Sequence, residues 1–435
     1  MMRSKWTRGL QLATGALLVA SMAMPEMARA QDDKVELLVW DQFTDPEVSA
    51  LVDEIYAGFT AENPNVTIKR EAVDNDQLRQ TLRTSLSSGE GPDVIFYDAG
   101  PGYAGVLADS ELIIPLDEYA ATYGWKDKVA GTAMQGTTID GKLYGMPLQV
   151  DLIGMYVDKA VMDEHGWTTP TTLGEMLTFC KTASEAGVIP IAFADNPGWQ
   201  AFHQFSMTAN QMIGADAMQE VLYNGGTANW NSPEIVAAIK AYFSDMMDAG
   251  CFPEDAVALT YDDGNALFYS GEAALHTTGS WLIGDIEANM EDASSVEFVP
   301  FPALDGGKGR YWITGVGSAY YVTANSKHPD EAAAFIDHLF HPDVVADMWV
   351  ERGKYVVPVE FDATAVEASP LFASVLGNLQ ASLKGEAELG FNVDVMAPQP
   401  FNDMMLNGFQ AMLTGDKTAE QQAADLQAAW EEGTK

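Results

Sequence analysis

The chain has 435 residues, with 63 acidic against 23 basic side chains, for a formal charge of −40. A negative field of this size repels nucleic acid and anionic membrane surfaces, which removes both as partners. The length calls for two domains rather than one core, and a composition that is 47% hydrophobic is too apolar for a disordered acidic chain.

The first thirty residues read as a secretory signal peptide. Arg3, Lys5 and Arg8 form a positive head, Gly9–Met24 is an apolar run, and Ala28-Arg29-Ala30 offers the small-x-small cleavage pattern. The run is short for a membrane span, and no Cys follows for lipidation. Cleavage after Ala30 leaves 405 residues with 19 basic and 62 acidic side chains, a charge of −43. The expectation is a periplasmic protein with no membrane insertion, and its charge is read as a solubility device. No later stretch approaches the ~20 apolar residues of a membrane helix.

Val35–Trp40 is a strand-type run ending at Asp41-Gln42-Phe43-Thr44. Val48, Leu51, Val52, Ile55 and Phe59 follow at helical spacing, and Asn63-Pro64 stops the helix. Val66–Arg70 reads as a strand and Gln77–Leu86 as an amphipathic helix. After the Gly89–Pro92 turn, Asp93–Tyr97 is a buried strand opening into Asp98. This alternation predicts an α/β lobe with a mostly parallel sheet, whose strand ends gather ligands. A second α/β series runs from about Gln149 to Gly315. In it Thr171 or Thr172 caps a helix with Glu175 as capping-box partner, and Ser232-Pro233 starts another with Ile235, Ala238, Ile239, Tyr242 and Met246 inward. Tyr320–Ala324 returns to a strand, and Pro329 opens a helix burying Ala332, Phe335, Ile336 and Leu339. The tail after about Phe361 is largely helical. Cys180 and Cys251, the two cysteines present, are compatible with either a bridge or two buried thiols.

Catalytic motifs are missing. The six His residues form no metal pair at helical spacing, no Gly-x-Ser-x-Gly elbow occurs, and Asp305–Gly309 lacks the spacing of a phosphate loop. No cofactor or metal is implied. A two-carboxylate glycoside hydrolase is a weaker alternative, because nothing in the sequence brings two acids together.

Several segments, taken in order, resemble the extracellular solute-binding proteins of sugar-type ABC importers, the group that includes maltose-binding proteins. They are Ser88–Ile95 with its Gly-Pro-Asp strand entry, Ile139–Pro147 with Asp-Gly-Lys-Leu-Tyr-Gly-Met-Pro, and Met155–Lys159. Gly166–Thr172, Thr278–Trp281, Ser326–Ala332 and Met412–Gly415 complete the set. The resemblance covers essentially all of the chain after the signal segment. It implies a two-lobed periplasmic-binding-protein-like fold with about three interlobe crossings, near 148–151, 313–318 and 358–364, and a ligand cleft between lobes. The lobes are expected at 31–149 plus 316–360 and at 150–315 plus 361–435. It further implies a monomer that captures a small carbohydrate without catalysis and delivers it to ABC importer permease subunits.

Sugars present apolar C–H faces and rings of hydroxyls, so a site needs aromatic plates and polar hydrogen-bonding groups. Trp281, after its Gly-Ser turn, falls at the family's stacking position, and Trp199 lies in a segment where relatives carry a second plate. Asp151 falls where relatives carry a ligand-binding carboxylate. Asp41, Gln42 and Trp40 close the first strand, and Tyr97 and Asp98 close the third. Arg352 offers two prongs to ligand oxygens or to a surface acid, and Trp312 and Asn402 lie near inferred cleft segments. A polyol, a glycosylated osmolyte or a cationic amine fits the same residues as an alternative ligand.

Overall fold

Two mixed sheets, joined by short crossings, organise the molecule in a computed structural model that describes residues 34–129, 131–359, 366–383 and 388–435. The signal segment and its cleavage pattern lie outside the described residues. In chain order the strands are β1 (Val35–Asp41), β2 (Val66–Ala72), β3 (Val94–Asp98), the hairpin β4 (Thr138–Ile139) and β5 (Lys142–Leu143), β6 (Gly145–Pro147) and β7 (Val150–Asp158). Then come β8 (Ile189–Ile191), β9 (Ala273–Gly279), β10 (Val296–Val299), β11 (Trp312–Val316), β12 (Ser318–Val322) and β13 (Leu389–Phe391).

One sheet has the order β2-β1-β3-β12-β6 and the other β13-β11-β7-β9-β8, with β10 also on β7. In the first, β1, β2 and β3 run parallel, joined by helical connections, while β12 and β6 are antiparallel to their neighbours. The expected mostly parallel sheet is therefore mixed. The cause is connectivity: β12 follows β11 directly from the other sheet, with no helix to turn it around. In the second sheet β7 is antiparallel to β9, β10 and β11, while β8/β9 and β11/β13 pair in parallel.

The chain passes between the sheets from β6 to β7 and again from β11 to β12, within two of the segments expected. Leu148 N donates to Ser318 O at 3.1 Å and Val150 N to Val356 O at 2.7 Å, so three separate segments meet at the junction. The third expected crossing, near 358–364, falls mostly on residues outside those described.

Local chemistry sets where the elements start and stop. Asp45 caps α1 (Pro46–Glu62) by accepting from Glu47 N and Val48 N, with Pro46 at the first helical position, and its inward face is Leu51, Val52, Ile55, Tyr56 and Phe59. Asp74 caps α2 (Asn75–Ser88), which ends on Gly89 at φ 78°, a left-handed position that suits glycine. Thr172 and Glu175 form the anticipated capping box at the start of the helix Leu173–Glu185, and Ser232 caps the helix opened by Pro233. The five apolar side chains read inward from that second start are all buried. Cys180 and Cys251 form a disulfide between positions 71 residues apart, resolving the pairing that spacing left open.

Candidate functional site

Between the sheets lies a cleft of about 870 Å³, within the range of small-molecule sites. Its first wall comes from the carboxyl ends of β1 and β3 and from the N-termini of α1 and α2. Asp98 ends β3 and accepts from Arg79 Nε at 2.7 Å and from Ser318 Oγ at 3.3 Å. Ser318 has one hydroxyl proton and spends it on Asp98, so Gln42 must donate its amide nitrogen to Ser318 Oγ, at 2.9 Å. That fixes the Gln42 amide and leaves its Oε1 without a partner in the protein.

Arg79 reaches across the cleft. Its guanidinium carbon lies 5.1 Å from the Tyr103 ring centroid and 5.7 Å from that of Trp199, which belongs to the opposite wall.

At the junction, Gln149 Nε2 donates to Asp151 Oδ2 at 2.9 Å and Ser280 Oγ to Asp151 Oδ1 at 3.3 Å. Asp151 is 5% exposed, and burial pushes its carboxyl up to about 7, because these two neutral donors offset only part of the desolvation. Gly317 lies beside it, and a Cβ there would stand 2.7 Å from Asp151 Oδ2, so glycine keeps the approach to the carboxylate open.

The second wall is aromatic. Ring centroids of Trp199 and Tyr261 are 4.8 Å apart, those of His203 and Trp281 5.1 Å, and those of Trp199 and His203 5.3 Å. Trp281 follows the end of β9, where a Cβ on Gly279 would fall 1.9 Å from the indole, so only glycine lets the ring fold back there. Trp281 Nε1 donates to Tyr261 Oη at 2.8 Å, which locks the plate. Burial, with Arg79 nearby, holds the His203 imidazole down to about 3, so it is a neutral ring at ordinary pH. Asp394 completes this side at 5% exposed; burial pushes it up to about 7, with Arg79 pulling the other way.

Of the residues singled out from sequence, Gln42, Asp98, Asp151, Trp199 and Trp281 line this cleft together. The other six lie elsewhere. Asp41 is turned inward, where Arg70 grips it from two nitrogens at 2.6 and 2.8 Å while Tyr56 Oη and Phe43 N also donate to it, so its acceptors are already used. Trp40 and Tyr97 precede Asp41 and Asp98, and strand alternation sends them to the opposite face. There Trp40 Nε1 donates to Glu71 at 2.9 Å, and Tyr97 packs under α2. Trp312 is core, 4.9 Å from the Phe298 ring. Arg352 forms a two-pronged surface pair with Glu54, at 3.0 and 2.6 Å. Asn402 is buried and donates to the backbone of Asp394 at 3.0 Å, supporting a cleft residue rather than facing the cleft itself.

Sequence reading did not anticipate Arg79, Tyr103, Gln149, His203, Tyr261, Tyr355 or Asp394 in this cleft. Gln149 carries a usable signal, since it stands two residues before Asp151 in extended chain and so on the same side. The others depend on long-range packing.

The description "Bacterial extracellular solute-binding protein" matches residues 54–374. A "Putative binding protein" of Brucella abortus (strain 2308) is 25% identical over 352 residues, covering 79% of each chain. The "Multiple sugar-binding protein" of Streptococcus mutans serotype c is 23% identical over 334 residues, covering 74% of this chain and 75% of that one. A solved structure concerned with xylan utilization by the thermophilic bacterium Caldanaerobius polysaccharolyticus superposes with a TM-score of 0.81 at 25% identity, covering 91% of this chain and 99% of the other. With a match across most of its length and the two-lobed fold, this chain belongs to the bacterial extracellular solute-binding protein family.

Proposed function

We propose that this protein is the receptor of an ABC importer, capturing a small carbohydrate in the cleft and presenting it to the permease. The observation that carries the reading is the opposition of two unlike walls. An aromatic surface built by Trp199, Tyr261 and Trp281 faces amide and carboxylate oxygens of Gln42, Asp98 and Asp151. Aromatic rings suit the apolar C–H face of a sugar ring and the oxygens suit its hydroxyls. The Streptococcus mutans relative carries a sugar-binding name, which supports the same ligand class.

In this reading the protein is a periplasmic monomer, cleaved after Ala30, that binds without turnover. Its lobes divide as 31–149 plus 316–360 and 150–315 plus 361–435. They close by bending at the junction where residues 148–150, 318 and 356 exchange backbone hydrogen bonds.

The test is calorimetric titration of the ligand-stripped protein with sugars and polyols, alongside Trp281→Ala. A neutral sugar or polyol should bind one-to-one and be recovered intact. Loss of the plate should weaken it by about 10- to 100-fold, since a buried aromatic face contributes ~1.5–3 kcal/mol. Failure of every sugar and polyol to bind would overturn the proposal.

A further inference from the structure

The cleft is one-sided in its hydrogen-bonding chemistry as well as its charge. Eight aspartates line it against a single Lys or Arg, Arg79, which is already paired with Asp98. Five of its fully buried side-chain polar atoms have no partner in the protein: Gln42 Oε1, Asn75 Oδ1, Asp76 Oδ1, Gln149 Oε1 and Asp394 Oδ1. All five are oxygens. At Gln42 and Gln149 the amide orientation is forced, because each amide nitrogen is spent, on Ser318 and on Asp151 respectively.

The imbalance is sharpest around Asp151. Its carboxylate is 5% exposed and receives two hydrogen bonds, both from neutral groups. Asp41 and Asp98, the acids at the ends of β1 and β3, each hold an arginine at 2.6–2.8 Å. Beside Asp151 the 7%-exposed Gln149 turns an unpartnered oxygen to the same space, and Gly317 leaves the carboxylate approachable. A buried carboxylate without a cation is costly unless something supplies one. An ammonium group brings three donors and a positive charge, matching Asp151 and Gln149 Oε1 together, whereas a hydroxyl brings one donor and no charge. A uronate or sugar phosphate would bring further acceptors and negative charge to a wall already made of both.

From this arrangement we infer that the carbohydrate bound here carries a basic nitrogen, an amino sugar or a glycosylated amine, whose ammonium is received by Asp151 with Gln149. The inference rests on the reading of the cleft as a carbohydrate site.

The test compares matched pairs by calorimetry at neutral pH: glucose, galactose, mannose and cellobiose, each against its amino counterpart and its N-acetylated form, with glucuronate as the anionic control. At least one amino sugar should bind about tenfold or more tighter than its hydroxyl parent, with the N-acetylated form and glucuronate weaker than the amine. Asp151→Asn should remove most of that preference, weakening the amino sugar at least several-fold more than its hydroxyl parent; an equal loss for both would overturn the inference. If the parents bind as tightly as the amines in the unaltered protein, the inference falls while the carbohydrate reading stands. If no sugar in any series binds, both fall.

Discussion

The cleft-side ends of the two sheets handle buried acids in opposite ways. On the five-stranded sheet, Asp41 and Asp98 close adjacent parallel strands, and each is met by an arginine from a neighbouring element, Arg70 of β2 and Arg79 of α2. On the six-stranded side, Asp151 and Asp195 are just as deeply placed, yet neither receives a hydrogen bond from a cation. Asp195 is fully buried, accepts from Ala201 N at 3.0 Å on one oxygen, and has no partner on the other. The difference separates acids whose charge the scaffold balances with a cation from acids it leaves without one. Asp41 in particular has no spare acceptor to offer a ligand, which is why a strand-end aspartate alone does not mark a contact residue.

The comparison breaks most visibly at Arg70. Arg70→Ala strands a fully buried Asp41 with only Tyr56 Oη and Phe43 N for company, and the expected loss is about 3–5 kcal/mol, readable by urea denaturation. A loss below about 1 kcal/mol would show that Asp41 does not depend on its cation.

The uncompensated side predicts a pH effect of definite sign. Burial pushes Asp195 up to about 8, against 3.8 for an unperturbed aspartate. In this span the folded state holds a proton that the unfolded state has released, so raising the pH lowers stability. The buried His203 and His276, both held down to about 3 by burial, act in the opposite sense, but their contribution is complete above their ordinary value of 6.5. Between pH 6.5 and 8 the melting temperature should therefore fall, and Asp195→Asn should flatten that slope. An unchanged slope in the variant would assign the effect to other groups.

Arg352 sets the lower limit of the scale. It matches the geometry of Arg70, two nitrogens on one carboxylate, but sits on the surface with Glu54. Arg352→Ala should change stability by less than about 1 kcal/mol, because solvent screens the pair. A larger loss would mean that two-pronged geometry, rather than burial, is what matters.

How much of this was legible in the sequence follows from the range of the forces involved. Helix starts at Thr172 and Ser232 are set by hydrogen bonds within three residues and were read from the sequence, whereas the caps Asp45 and Asp74, of the same short range, were not singled out. The first and third strand ends were also readable as polar, but which of two neighbouring residues faces the cleft depends on how the strand is turned in its sheet, so Asp41 was drawn in with Gln42 and Tyr97 with Asp98. Strand direction on β12 depends on which sheet the chain has just left, which no local pattern encodes. Arg79 looks like any other exposed residue of an amphipathic helix, and its place between Tyr103 and Trp199 exists only once the two walls face each other. Whether Cys180 and Cys251 bridge was hidden for a similar reason, since they lie 71 residues apart along the chain.

That cysteine bridge has a topological consequence for the cleft. The covalent ring it closes runs from Cys180 to Cys251 and contains Trp199 and His203, half of the aromatic wall, while Tyr261 and Trp281 lie beyond it. Both anchors belong to the same side of the molecule, so the ring draws in the unfolded chain that carries these two plates without fastening one sheet to the other. A chain made under reducing conditions would have to gather half of its stacking surface from a much wider search, which ties assembly of the binding face to an oxidising compartment.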